Sequence, residues 1–219
     1  MRLRKYGHSC LLLEERGESL LFDPGMVDFL DSQATPDRFA SVALVVVTHW
    51  HPDHADPELI RRIVERSGAK VLANADTRKA LQDVGIEATV PAEGQYSSGA
   101  FTLRVVRAPH APLLGAEPPE NTAYLVNDRL LNPGDSFDSR LTDLRDVPLL
   151  ALPITAPWLK ELEAAAFAEK VAPRRIIPIH DGYVKDFFRT RRYQTFRQYF
   201  ETRKIGFETV NAPDAEIEV

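Results

Sequence analysis

The 219 residues are 44% hydrophobic and 27% charged, enough to bury one sizeable core without disulfide or metal staples. The formal net charge of -5 excludes a global positive field toward nucleic acid or anionic membranes, and a single cysteine, Cys10, excludes an internal disulfide. One cytoplasmic domain over residues 1–219 is expected. The basic start meets Glu14 and Glu15 too soon for a signal peptide, and no apolar run nears the roughly 20 residues of a membrane span.

In chain order, residues 2–15 and 19–22 predict a β-hairpin about the turn Glu15-Arg16-Gly17-Glu18, ending at Asp23-Pro24-Gly25. The unbroken, β-branched run over 42–47 reads as a strand buried on both faces. Asp56, Pro57 and Glu58 supply an N-cap, a proline at the first helical position and a first-turn acid, so a helix is predicted over 57–66. A short strand at 70–73, a helix over 77–84 and a strand-rich stretch from 88 to 133 follow. A second buried strand covers 147–154, a helix 158–169 and a last strand 174–180. Over 189–204 basic residues alternate with Tyr193, Phe196, Tyr199 and Phe200 at helical spacing. Such a helix can bind phosphate, but the commoner arrangement packs the aromatic stripe on the core and leaves the arginines in water. Strand and helix blocks without a fixed repeat predict a layered α/β domain.

The chemistry concentrates in T-H-W-H-P-D-H, residues 48–54, after the first buried strand and before the capped helix. Imidazole and carboxylate without thiolate suit zinc, manganese or iron. In an extended segment His49 and His51 point the same way, and Pro52 then bends the chain and re-aims Asp53 and His54 toward a neighbouring position. One loop cannot fill two coordination shells, so distant ligands are needed. His110, Asp135 and His180 all stand at strand-to-loop junctions. Alone, each reads more often as a structural histidine or a turn aspartate. Beside the dense cluster they become candidates.

In this order the motifs resemble the metallo-β-lactamase superfamily: G-H-S-C and F-D-P-G, then T-H-W-H-P-D-H, A-P-H, P-G-D-S and I-P-I-H-D-G. The chain is most similar to small intracellular metal-dependent hydrolases such as ascorbate-phosphate lactonase and its bacterial relatives. The resemblance implies a four-layer αββα sandwich with two divalent ions, zinc first and manganese or iron as alternatives. It assigns His49, His51 and His110 to one ion, Asp53, His54 and His180 to the other, and Asp135 to both. It implies a hydrolase that turns a metal-bridging hydroxide on an ester, lactone, thioester or phosphoester of a small molecule, with Asp53 as catalytic residue. An iron-dependent redox enzyme on the same scaffold is the alternative, disfavoured because its di-iron members carry glutamate where His51 stands. A phosphodiesterase or nuclease is another, although the acidic chain argues against a nucleic-acid partner. No membrane partner is expected, and a homo-oligomer is left open. His8 and Asp23 are candidates for supporting the ligands or touching substrate. Cys10 reads as a buried thiol, Trp50 and Trp158 as pocket wall or core, and the proline-rich loop 111–120 as lid or stiff connection.

Overall fold

The computed structural model describes residues 1–27, 35–210 and 215–219. Among these, strands β1 (Arg2–Tyr6), β2 (Cys10–Glu15), β3 (Glu18–Phe22), β4 (Leu44–Val46), β5 (Lys70–Leu72) and β13 (Glu216–Glu218) form one sheet, in the order β13-β1-β2-β3-β4-β5. The second sheet joins β6 (Gly94–Ser98), β7 (Phe101–Arg107), β8 (Thr122–Val126), β9 (Leu130–Asn132), β10 (Leu149–Pro153), β11 (Arg175–Ile179) and β12 (Gly206–Phe207), in the order β12-β11-β10-β9-β8-β7-β6.

Period-two alternation decides how these sheets stack. Leu11, Leu13, Leu20, Phe22, Leu44 and Val46 pack face to face against Leu103, Val105, Tyr124, Val126, Ile177 and Ile179 of the other sheet. Their neighbours Leu12, Leu21, Val45 and Val47 point outward onto Leu59, Ile60 and Ile63 of helix α1 (Pro57–Ser67) and Leu81 of α2 (Ala75–Asp83). On the far side Leu125, Leu131, Leu150, Leu152 and Ile176 pack against α3 (Glu161–Val171) and α4 (Asp186–Glu201). The four layers are therefore α, β, β and α, and the central strands are apolar on both faces because both faces are covered. No helix of the described residues is long and apolar enough to cross a membrane.

The predicted first strand is split. The chain reverses at Gly7-His8-Ser9, so β1 pairs antiparallel with β2, and only the second reversal uses the Arg16-Gly17 turn, where both residues have positive φ. Asp56 caps α1 by accepting from the Leu59 amide at 2.7 Å, and Asn74 rather than a residue nearer Thr77 caps α2. The third helix starts at Glu161, later than the Trp158 expected. Arg175–Ile179 is not the last strand, because β12 and β13 follow. In α4, Tyr193, Phe196 and Phe200 are buried on the second sheet, as the aromatic stripe predicts, and Cys10 is fully buried.

Candidate metal centre

Every ligand-type side chain stands where a strand stops. The loop after β4 carries His49, His51, Asp53 and His54, while His110 follows β7, Asp135 follows β9 and His180 follows β11. Two of these turns use left-handed backbone at non-glycine residues, Asp23 with φ 43° and His180 with φ 60°. That conformation costs about 1–2 kcal/mol for an L-residue and is retained where the surroundings over-determine it. The His180 amide donates to the His8 carbonyl at 3.0 Å, and the Asp23 amide to Val46 at 3.0 Å.

Neighbouring loops hold the T-H-W-H-P-D-H segment. Gly25 lies directly against it, where a Cβ would sit 1.9 Å from the Asp53 carbonyl oxygen, and the Met26 amide donates to Pro52 at 2.7 Å. Gly134 has φ 58° and would place a Cβ 2.2 Å from Asn121 Oδ1, so the turn before Asp135 requires glycine. Asn121 Oδ1 accepts from the Asp135 amide at 3.1 Å, and its Nδ2 donates to Ala108 and Pro133. Sequence reasoning missed Asn121, whose neighbours Glu120 and Thr122 give no signal of it.

Each imidazole is oriented by a specific acceptor. Nδ1 of His110 donates to the Ala111 carbonyl and Nδ1 of His180 to the Thr155 carbonyl, both at 2.6 Å. His54 Nδ1 donates to Asp23 Oδ2 at 3.0 Å. The Thr48 hydroxyl gives its one proton to Asp23 Oδ2 at 2.8 Å, so its oxygen accepts from His49 Nδ1 at 3.0 Å. Asp23 thus fixes two rings at once, and Thr48, quoted in the motif but given no role there, is the relay. With Nδ1 held by an acceptor, each Nε2 faces the interior and offers a lone pair there whenever its ring is neutral.

Those lone pairs converge on Asp135. Its Oδ2 lies 3.1 Å from His180 Nε2, 3.5 Å from His110 Nε2 and 3.9 Å from His49 Nε2, while Oδ1 lies 3.5 Å from His54 Nε2. Trp158 Nε1 donates to Asp135 Oδ2 at 3.1 Å, which puts Trp158 at the site, whereas Trp50 packs on the α1 side of the core. Nε2 of His49, His54 and His110 and Oδ1 of Asp135 are buried without a hydrogen-bond partner. Buried polar atoms are ordinarily paired, so this convergent orphaned set fits a cation. Two groups can each hold an ion, His49, His51, His110 and Asp135 in one and His8, Asp53, His54 and His180 in the other.

The electrostatics agree with that fit. Burial, then the charge on His54, drives His49 well below the ordinary histidine value. Burial would lower His54 too, but Asp135 and Asp23 outweigh it and hold that ring at about 9. Burial would raise Asp135 and Asp53; His180 and His54 keep Asp135 well below the carboxylate range, and the His8 hydrogen bond with His54 and His180 keeps Asp53 below it. A proton on His54 therefore stands where a cation would. Metal affinity is expected to rise about tenfold per pH unit up to about pH 9, because a cation must displace that proton, and to flatten above it. Competition with a chromophoric chelator across this range checks it; affinity independent of pH would contradict the assignment.

Two stacked mixed sheets between helices, with histidines and aspartates gathered at strand ends along one edge, define a hydrolase-type metal scaffold. A family model described as a beta-lactamase superfamily domain matches residues 2–180, and the chain belongs to that superfamily, with its metallo-β-lactamase fold. Protein Rv0786c of Mycobacterium tuberculosis is 35% identical over 190 residues, covering 84% of this chain and 85% of its own. A UPF0173 metal-dependent hydrolase of Carboxydothermus hydrogenoformans is 29% identical, covering 82% of this chain and 84% of its own. Among solved structures, Igni18, a metallo hydrolase from Ignicoccus hospitalis, has a TM-score of 0.78 and 20% identity over 99% of this chain and 97% of its own, a likeness of fold.

Proposed function

We propose that the protein is a metal-dependent hydrolase with a binuclear centre. The observation that carries this reading is the set of orphaned Nε2 atoms of His49, His54 and His110 converging on Asp135. His49, His51 and His110 would hold one ion, Asp53, His54 and His180 the second, and Asp135 both. Bound ions supply Lewis acidity, acidifying a water and offsetting negative charge on the substrate's carbonyl or phosphoryl oxygen. The chain's own residues orient and exclude. Asp53, whose Oδ2 lies 3.2 Å from His8 and 3.4 Å from His180, is the catalytic residue that orients the attacking water by accepting from it. Trp158 keeps Asp135 in place and, with the buried rings, keeps bulk water from all but His51, the partly exposed member.

Elemental mass spectrometry on protein purified without chelator tests the reading. About two zinc or manganese ions per chain with hydrolysis of an ester, lactone, thioester or phosphodiester is the expected result, and Asp53→Ala should remove far more hydrolysis than metal. No stoichiometric metal after reloading would overturn the reading. Predominant iron with oxygen consumption would favour a redox enzyme on this scaffold.

The rim favours a small substrate bearing an apolar group. Tyr183, Phe187 and Phe188 stay 60%, 73% and 39% exposed just after His180, and the Tyr183 ring lies 4.9 Å from that of His8. Arg192 pairs with Glu161 at 2.7 Å and covers Phe188 at 5.1 Å. In a series of acyl esters KM is expected to fall with each added methylene, by up to about fourfold where about 0.8 kcal/mol is gained. Phe187→Ser should flatten the series, and an unchanged series in that variant would remove the rim from substrate binding.

A further inference from the structure

His8 falls geometrically into one of the two candidate groups, and its position alone would make it a ligand. Its hydrogen bonds say otherwise. Nδ1 of His49, His54, His110 and His180 all face acceptors, which leaves each Nε2 with a lone pair. His8 is reversed, because its Nδ1 lies 2.9 Å from the backbone nitrogen of Gly182. A backbone amide can only donate, so Nδ1 holds the lone pair, the ring is neutral and its proton sits on Nε2. That Nε2 faces Asp53 Oδ2 at 3.2 Å.

We propose that His8 is not a metal ligand but a positioning residue, whose Nε2–H donates to Asp53 Oδ2 and fixes that carboxylate. This inference rests on the metal-centre reading above. The donor that sets the tautomer is itself held firmly. A Cβ at residue 182 would sit 2.6 Å from Val27 Cγ1 and 3.0 Å from His8 Cβ, so only glycine lets the amide come this close. Asp181, one residue earlier, is locked by Lys5 Nζ at 2.7 Å to both carboxylate oxygens and by the Tyr193 hydroxyl. The His8 carbonyl in turn accepts the His180 amide, so one short turn sets both a ligand strand's end and the orientation of Asp53. With His8 bonded to Asp53 rather than to metal, Asp53, His54, His180 and Asp135 are left for the second ion.

Zinc-loaded protein labelled with nitrogen-15 at histidine, studied by long-range proton–nitrogen correlation, tests this. The His8 signals, assigned by their loss in His8→Gln, are expected to show a protonated, pyrrole-like Nε2 and an unprotonated Nδ1, opposite to His110 and His180. The glutamine amide can still donate to Asp53 but cannot coordinate as imidazole does. His8→Gln should therefore keep two ions per chain at saturating zinc, with affinity weakened about 10–100-fold at most, and should retain more activity than His8→Ala. An unprotonated, metal-shifted Nε2, or a zinc count of one in His8→Gln, would overturn the proposal. Wild-type protein without bound metal would overturn the metal-centre reading instead, and the tautomer on the same sample would still decide the role of His8.

Discussion

On the binuclear reading proposed above, Asp135→Ala is expected to cut hydrolysis by about a thousandfold, the rate equivalent of several kcal/mol of Lewis-acid stabilisation, and to lower the metal count from two per chain to one or none. The Asp135 carboxylate is the only anion within 4 Å of the Nε2 atoms of His49, His54 and His110 among the described contacts, and its two oxygens divide between them. Truncation leaves those ring nitrogens converging on an apolar methyl, with the negative charge between the two candidate groups gone. Asp135→Asn keeps the shape and the Trp158 partner but loses the charge, so it should fold like the parent and still lose metal. Elemental analysis and steady-state rates on both variants, beside their thermal unfolding, make the check. Two ions and full rate in Asp135→Ala would remove Asp135 from the centre.

Asp181→Ala is expected to destabilise the fold by about 3–5 kcal/mol, the usual penalty for stranding one partner of a buried ion pair. Lys5 is 6% exposed and Asp181 fully buried, and Lys5 Nζ reaches both carboxylate oxygens. Deleting the acid leaves an ammonium in the interior with its main counter-charge gone, and leaves the Tyr193 hydroxyl without its acceptor. The joint replacement Lys5→Met with Asp181→Leu removes both charges and should recover most of the loss, since a well-packed apolar pair is often as stable as the ionic one. Urea unfolding of the single and double variants decides it. A single-variant loss below 1 kcal/mol would show that water reaches Lys5 once the acid is gone.

The sequence carried the buried strands, the α1 cap and the metal cluster because each is local: a β-branched run, an Asp-Pro-Glu start and three histidines around an aspartate all lie within a few residues. The break between β1 and β2 was not legible. Gly7-His8-Ser9 lacks the Asn-Gly or Asp-Gly signal of a tight hairpin, and the apolar residues on either side read as one strand. The strands β12 and β13, two and three residues long, are fixed by pairing with β11 and β1 rather than by their own pattern. Of the site, residue types and order were legible, whereas Asn121, the Thr48 relay and the Gly182 amide act through approaches between distant loops that no local pattern encodes. His8 was legible as a candidate supporter but without a definite role, because that role turns on which ring nitrogen meets a backbone donor 174 residues away.

Both sheets feed the centre, the first through residues 49–54 and the second through residues 110, 135 and 180. A chain that has formed only its first sheet therefore holds half a chelate: the group with His110 and Asp135 is completed by the ends of β7 and β9, and the group with His180 only once β11 has docked beside β10. Metal uptake then becomes a clock for the meeting of the sheets: in refolding with zinc present, no ion should be held tightly before the second sheet has packed on the first. An ion captured at that point acts as a rivet between two halves that meet through apolar contacts and a few polar ones such as Lys5–Asp181 and the His180 amide on the His8 carbonyl.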